Sequence, residues 1–557
     1  MSNDVIGCCD LVMKGGVTSG VVYPLAIKEI SRKFHLVGIG GTSAGAIAAS
    51  LAAAAEYRRR HTQSFDGFDM LDSVVRELTR PERLLSLFRP DKNTEKLFKL
   101  ALSFVQGKAG LLTKSKLLWK LRSKRSRHRL FAPLAANGFG ACSGMAWGNE
   151  GEEPALTTWL SDLIDRIAGK EHGHLTFRDL HEAPLPAGFE SDFSGETRSI
   201  DFRAVSTSIT FNRPFEFPLQ TRILAFDPDE WPRIFPQSVV DQIVASAGAI
   251  PSQQLTRGGK LPLPNLDLPV IVAARMSLSF PLLFSAVPLW AVNYHKDGEP
   301  LECVWFSDGG ITSNFPVHRF DSIYPRWPTL ALNFQATDNN GLPQRKALKE
   351  SGELVYMNSE RRDGVLDLWS EFTRDDDALG SILHFFLAIF DSAQNWHDNA
   401  FLRLPGFRDR IAEIWLKPDE GGLNLEMAAD QTQTLITRGM EAGQRLTDRY
   451  AELDASEEMS WTGHQWTRFR SGMAGLTEAI EAFGESLGEG GLDGSELASL
   501  LASKDAPPCY KFQSDTQRES ALELTKALES LAKKLGDRQP FDKGPRPPIE
   551  FGSRAPI

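Results

Sequence analysis

A serine between glycines, Gly41-Thr42-Ser43-Ala44-Gly45, is the stretch of this chain best suited to chemistry. It sits between an apolar run, Leu36-Val37-Gly38-Ile39-Gly40, and an alanine-rich run from Ala46 to Ala55. That order reads as strand, sharp turn, helix, which holds a serine hydroxyl clear of the end of a sheet. Gly41 and Gly45 let the turn fold tightly and leave room for a substrate. The helix that follows aims its positive end at the same spot. A serine so placed is a nucleophile for acyl transfer or hydrolysis. With 46 glycines in 557 residues, chance would supply roughly 0.3 such strings, so the strand-before, helix-after setting carries the reading.

Two further segments have matching chemistry. Lys14-Gly15-Gly16-Val17-Thr18-Ser19-Gly20 follows the apolar run Ile6 to Met13 and precedes a helix-like stretch, Val21 to Ile30. A glycine-rich strand-to-helix turn presents unpaired N–H groups, which suit the oxyanion formed when a serine attacks an ester. A phosphate loop would read G-x-G-x-x-G or G-x-x-x-x-G-K-S/T, and neither occurs here. A plain βα turn is the ordinary alternative. Far downstream, Asp308-Gly309-Gly310 ends the apolar run Cys303 to Phe306. Asp-Gly-Gly is most often a turn, but a carboxylate at a strand end beside a serine elbow can accept the serine proton.

Together and in this order, the three segments resemble the patatin-like phospholipases. The resemblance extends over roughly residues 5 to 450, with weaker echoes at Leu175–Leu180, Phe202–Ser208 and Ala273–Pro281. It implies an α/β fold of three layers with a mostly parallel central sheet. It also implies a serine–aspartate dyad without histidine, with Ser43 as nucleophile, Asp308 as base and Gly15, Gly16 and Val17 as oxyanion donors. The family loop usually reads Gly-Gly-Gly-x-Arg-Gly; here Val17 stands for the third glycine and Ser19 for the basic residue. The implied activity is that of a phospholipase A or lysophospholipase, acting on phospholipid or another lipid ester through an acyl-enzyme, with no cofactor and no metal. Two alternatives stay open: a Ser-His-Asp esterase of α/β-hydrolase type using His318, and a regulated membrane-damaging effector with a gated or vestigial site. His318 fits the triad order only loosely, and a packed or surface histidine is the preferred reading.

The elements needed to position these groups are legible in outline. Residues 5 to 60 read as two strand–helix units opening a parallel sheet. Residues 61–195 read as a polar helical insertion or lid within an acyl hydrolase domain of residues 1–450. Strands are expected near Ile200–Val205, Pro214–Phe217, Arg222–Phe226, Leu301–Phe306, Thr329–Phe334 and Arg410–Leu416, and a long amphipathic helix over Met427–Tyr450. A helical extension, 451–536, and a flexible tail, 537–557, complete the chain.

Bulk properties narrow the classes. A net charge of −10 disfavours general nucleic-acid binding. No apolar stretch is long enough to span a bilayer, and the N-terminus carries no leader pattern. Five cysteines make neither a disulfide framework nor a zinc pattern. A cytoplasmic protein is expected, with peripheral contact at the inner face of the membrane through Lys114–Arg129. That segment interleaves basic residues with Leu117, Leu118, Trp119 and Leu121 and suits an anionic lipid surface; a solvated helix face is its alternative. The apolar run Leu383–Phe390 reads as a buried core helix, with the lining of an acyl-chain channel or the cap of a bilayer contact as its alternatives. Oligomeric state leaves no mark in the sequence.

Overall fold

The computed structural model describes residues 5–16, 18–99, 124–145, 153–193, 198–247, 255–338, 341–343, 348, 351–361, 385, 388–389, 392, 394–396, 398–402, 404–422, 424–451, 458–488, 503, 512–538, 541 and 545. β1 (Gly7–Met13) leads through α1 (Tyr23–Lys33) to β2 (Phe34–Gly41), and α2 (Ala44–Thr62) follows. Next come β3 (Gly140–Cys142), β4 (Asp201–Ser208), β5 (Arg213–Phe217), β6 (Ala225–Phe226) and β7 (Leu261–Pro262). Then follow β8 (Leu282–Phe284), β9 (Val287–Val292), β10 (Leu301–Asp308), β11 (Thr329–Ala336), β12 (Val355–Tyr356) and β13 (Ile411–Leu416). β3 and β8 form a separate pair, and the other strands share one sheet.

The heart of that sheet is parallel: β13, β11, β1, β2 and β4 run side by side in one direction. Their carboxyl ends therefore share one edge, where open α/β sheets bind ligands. β1 and β2 are almost wholly buried, as expected of strands covered on both faces. Side chains alternate between those faces. Cys9, Leu11 and Met13 enter the larger core with α1 and α2. Val12 points the other way, toward Phe315, Val317 and Phe407, and Cys8 toward Val37 and Phe193. The helix Trp461–Gly488 packs on the loop that precedes β11, where Arg468 pairs with Asp321 at 2.6 Å and Gln465 donates to the Pro325 carbonyl at 3.0 Å.

One register detail explains the site. β4 pairs with β5 on one flank, through Ala204↔Phe217 and Ser206↔Phe215. Gly41, the partner of Ala204, and Asp308, the partner of Ser206, therefore both lie on the opposite flank. β2 covers the first half of β4 and then turns away; β10 arrives antiparallel from beyond and fills the space. The carboxyl ends of β2 and β10 meet end to end.

Most expected elements are present, among them the helix Ala429–Ala451. The segment read as a lid is a wall of the main core, to which it contributes Phe68, Leu71, Leu87, Phe88 and Leu156. β9 escaped sequence reading because Pro288 interrupts a short apolar run, and β3 and β8 because three residues show no period. Two described residues of the expected core helix Leu383–Phe390, Phe385 and Ile389, are exposed, which corrects that reading; their neighbours lie largely outside the described residues. So do residues 452–457, 489–502 and 504–511 of the extension, which otherwise holds the helices Trp461–Gly488 and Asp515–Arg538, and most of the tail.

α2 is fixed at its far end by a buried ion cluster. Glu56 is fully buried against Arg59 and Arg60 and receives His35 Nδ1 at 3.1 Å. Burial would raise its pKa, but Arg59 and Arg60 outweigh that and hold it well below the usual carboxylate range. The two arginines also donate to the carbonyls of Ser31, Phe34 and Leu36, so α2 is clamped to the start of β2. Removing one partner of a buried pair typically costs about 3–5 kcal/mol. Glu56→Ala is expected to lose stability on that scale in a urea titration; a loss below about 1 kcal/mol would show that the cluster does not anchor α2.

Candidate active site

Ser43 has φ 54° and ψ −128°, a conformation L-residues rarely adopt, with a cost of order 1–3 kcal/mol. Four bonds hold it. The Ser43 amide donates to Ser277 Oγ at 3.0 Å, Gly45 N–H to the Thr42 carbonyl at 2.8 Å, Ala46 N–H to the Ser43 carbonyl at 3.0 Å, and Thr42 Oγ1 to the Asn314 carbonyl at 2.8 Å. Both elbow glycines are required by close approach. A Cβ on Gly41 would lie 2.2 Å from the Gly45 carbonyl oxygen, and one on Gly45 would lie 2.2 Å from that of Met13.

The glycine loop lies against this elbow. A Cβ on Gly15 would fall 3.2 Å from Ser43 Cβ and 2.2 Å from Asn314 Oδ1. The Gly15 amide already donates to the Asn314 carbonyl at 2.9 Å, so Gly15 supplies space there and has no free donor. Gly16 packs beside Ser19 and Phe334, and Val17 lies outside the described residues. Ser19, at the family's basic position, is buried under the turn at Gly421–Gly422 and accepts the Gly422 amide at 3.4 Å. A Cβ on Gly421 would already lie 2.6 Å from Ser19 Oγ, so a long basic side chain has no room.

Asp308 ends β10 and is buried. Its amide donates to the Ser279 carbonyl at 3.0 Å, and its Oδ1 accepts the Gly310 amide at 2.8 Å. Gly309 meets the Val205 carbonyl so closely that a Cβ would fall 1.9 Å from it. The Ser43 hydroxyl is near enough to Asp308 to lower its pKa as a hydrogen-bond partner, yet the approach falls short of full hydrogen-bond geometry and Oδ2 is left unpaired. The two groups are adjacent, and a catalytic hydrogen bond of this kind tightens when substrate binds. Burial dominates and pushes the Asp308 carboxyl up to about 7, against the pull of Ser43 and the Gly310 amide.

Several positioning residues have no motif to announce them. Asp398 Oδ2 accepts the amides of Asn314 and Phe315, each at 2.8 Å. Arg275, fully buried, donates to Ser279 Oγ at 2.8 Å and to the carbonyls of Ser143 and Ser285 at 3.0 and 3.2 Å. His318, by contrast, stacks on Phe401 with centroids 4.9 Å apart. Beside Ala44 and Leu278 opens an apolar cavity with about 630 Å³ of empty space, part of it open to solvent. Its walls include Ile27, Ile47 and Leu51 of α1 and α2 and Leu71, Leu84 and Trp159 of the inserted segment.

The sequence matches the description Patatin-like phospholipase over residues 11–321, a span that holds the glycine loop, the serine elbow and Asp308. The chain belongs to the patatin-like phospholipase family. Membership places this patatin-like chain among lipid hydrolases. It is 30% identical to the RpoH suppressor of Rhizobium meliloti (strain 1021), over 97% of each chain. Among solved structures it is similar to VipD from Legionella pneumophila, with TM-score 0.31 and 14% identity over 96% of this chain and 86% of that one. For the ExoU–SpcU complex of the Pseudomonas aeruginosa type III secretion system the TM-score is 0.20, with 16% identity over 96% and 72%. Among the described residues no helix is long and apolar enough to cross a membrane, and no group of three acidic, histidine or cysteine side chains is placed to hold a metal.

The elbow contacts predict that Gly45→Ala lowers stability by about 3 kcal/mol in denaturant titration, the upper range for overpacking. An unchanged midpoint would mean the turn is looser than these distances.

Proposed function

We propose that this patatin-like chain is a serine acyl hydrolase in which Ser43 attacks the ester carbonyl of a lipid and Asp308 takes the serine proton. The observation that carries the reading is the meeting of a strained serine elbow with a buried carboxyl raised to about 7. A base of that pKa suits proton transfer near neutrality. Attack forms a tetrahedral oxyanion, for which the glycine loop supplies amide donors, each worth about 3 kcal/mol when well placed. With the Gly15 amide engaged by Asn314, that duty passes to Gly16 and Val17. Collapse breaks the ester C–O bond, Asp308 passes the serine proton to the departing alcohol, and an acyl-enzyme remains on Ser43; water, deprotonated by Asp308, then attacks the acyl carbonyl, and return of that proton to Ser43 Oγ releases the fatty acid and frees the serine. The apolar cavity beside Ala44 is the natural berth for the acyl chain. The reading includes peripheral contact with an anionic membrane through the basic run Lys114–Arg129, of which 114–123 lie outside the described residues.

Ser43→Ala and Asp308→Asn are each expected to lower fatty-acid release from phospholipid vesicles by at least about 10³-fold with the fold intact. Full activity in either variant would reject the dyad. Wild-type kcat/KM should rise with pH and level off above about 7, as the carboxyl ionises. Stability should move the other way. A carboxyl near 3.8 unfolded and near 7 folded favours the protonated native state, so its contribution is present below the lower value and lost as pH rises through the upper. Asp308→Asn removes this penalty, and at pH 8 it should be more stable than wild type by up to about 4 kcal/mol. A less stable Asn variant would mean that the ionised carboxylate is well solvated.

A further inference from the structure

We propose that Phe139, Ile209, Phe211 and Leu282 form an apolar rim by which the protein docks on an anionic lipid bilayer. The choice of partner rests on the lipid-hydrolase reading; the rim itself is built from residues outside the serine site. All four side chains are exposed, Leu282 by 64%, Ile209 by 55%, Phe139 by 52% and Phe211 by 37%. They are contiguous. Phe139 stacks edge-on against Trp305 with centroids 5.2 Å apart, and the Ile209 amide donates to the Trp305 carbonyl at 2.9 Å. Leu282 pairs across the small sheet with Gly140, the residue after Phe139. Phe211 lies two residues beyond Ile209 in the β4–β5 turn, its ring 5.7 Å from that of Phe215.

The backbone adds an independent observation. Phe139 and Leu282 have φ of 63° and 67°, the left-handed region that bulky L-residues avoid. Glycine or asparagine would relieve this strain. Neither side chain is buried, so the strain secures no core packing. It holds two large apolar groups in solvent, as an interface would need.

Position and charge select the partner. Trp305 precedes Asp308 by three residues on β10, about 10 Å, and β10 enters from beyond the carboxyl edge of the parallel strands. The rim therefore flanks the approach to Ser43 and Asp308. Leading into it is the helix Lys124–Ala136, which contains Lys124, Arg125, Arg127 and Arg129 and no carboxylate. That helix carries Phe131, 46% exposed, and ends three residues before Phe139. Apolar insertion beside a basic segment is the pattern that binds an anionic interface.

The test is co-sedimentation of the full-length protein with vesicles of equal parts phosphatidylcholine and phosphatidylglycerol. In the double variant Phe139→Asn with Leu282→Asn, asparagine tolerates both backbone conformations, so its melting temperature should equal or exceed that of wild type. Its vesicle partitioning should fall at least about tenfold, given the apolar area removed from the interface. Hydrolysis of vesicle lipid should fall by a similar factor relative to hydrolysis of a dispersed short-chain ester. Unchanged partitioning overturns the proposal. So does a wild-type dimer that the double variant dissociates without change in vesicle binding, since the rim would then join two copies. Ser43→Ala separates the two readings: persistent hydrolysis by that variant defeats the serine mechanism, while the partitioning result still decides the rim.

Discussion

The backbone carbonyl of Asn314 accepts the Gly15 amide and the Thr42 hydroxyl at 2.9 and 2.8 Å, and the site depends on that pair of hydrogen bonds. It joins the glycine loop, the serine elbow and the chain beyond Asp308, three segments far apart in sequence. Asp398 holds the carbonyl in place by taking the amides of Asn314 and Phe315. Around this point the glycines become intelligible. Gly41, Gly45 and Gly309 each stand where a Cβ would overlap a backbone carbonyl oxygen at 1.9–2.2 Å, and a Cβ on Gly15 would meet the Asn314 side chain at 2.2 Å, so the segments approach as closely as glycine allows. The strain at Ser43 is sustained by these contacts, which is how a folded frame stores an unfavourable conformation at a working residue.

The electrostatics follow from the same geometry. β10 fills the space that β2 vacates beside β4, and this drives Asp308 into the protein with Oδ2 unpaired. Burial then raises its pKa to about 7. Glu56 shows the contrast within one molecule. It is equally buried, but two arginines compensate it and hold it ionised. A compensated carboxylate fastens α2, while an uncompensated one keeps the basicity that proton transfer requires. Protein stability and the proposed chemistry thus make opposite demands on Asp308.

Much of this was readable from the sequence because its determinants are local. Ser43, Gly41 and Gly45 lie within five residues, and a tight strand–helix turn needs small residues wherever it forms. The strands β11 and β13 showed as apolar runs because they are largely covered on both faces. The rest depends on long-range placement. Nothing near Asp398 signals that it clamps Asn314, and nothing near Asn314 signals that its carbonyl, not its side chain, ties the loops together. Ser19, where the family usually carries a basic residue, meets a turn some 400 residues away in sequence. The exposed, strained Phe139 and Leu282 look like ordinary core formers in a one-dimensional reading. The family resemblance implies Gly15 as an oxyanion donor, and only the fold shows its amide taken by the Asn314 carbonyl.

The central claim is that Asp308 activates Ser43. Its most direct test is intact-mass spectrometry with peptide mapping after exposure to a small fluorophosphonate, comparing wild type with Asp308→Asn across pH 5 to 9. The account predicts one adduct, on Ser43, whose rate of formation in the wild type climbs through about pH 7 and is nearly abolished in the variant. An adduct on another residue, or equal labelling of Ser43 in both proteins, would contradict it.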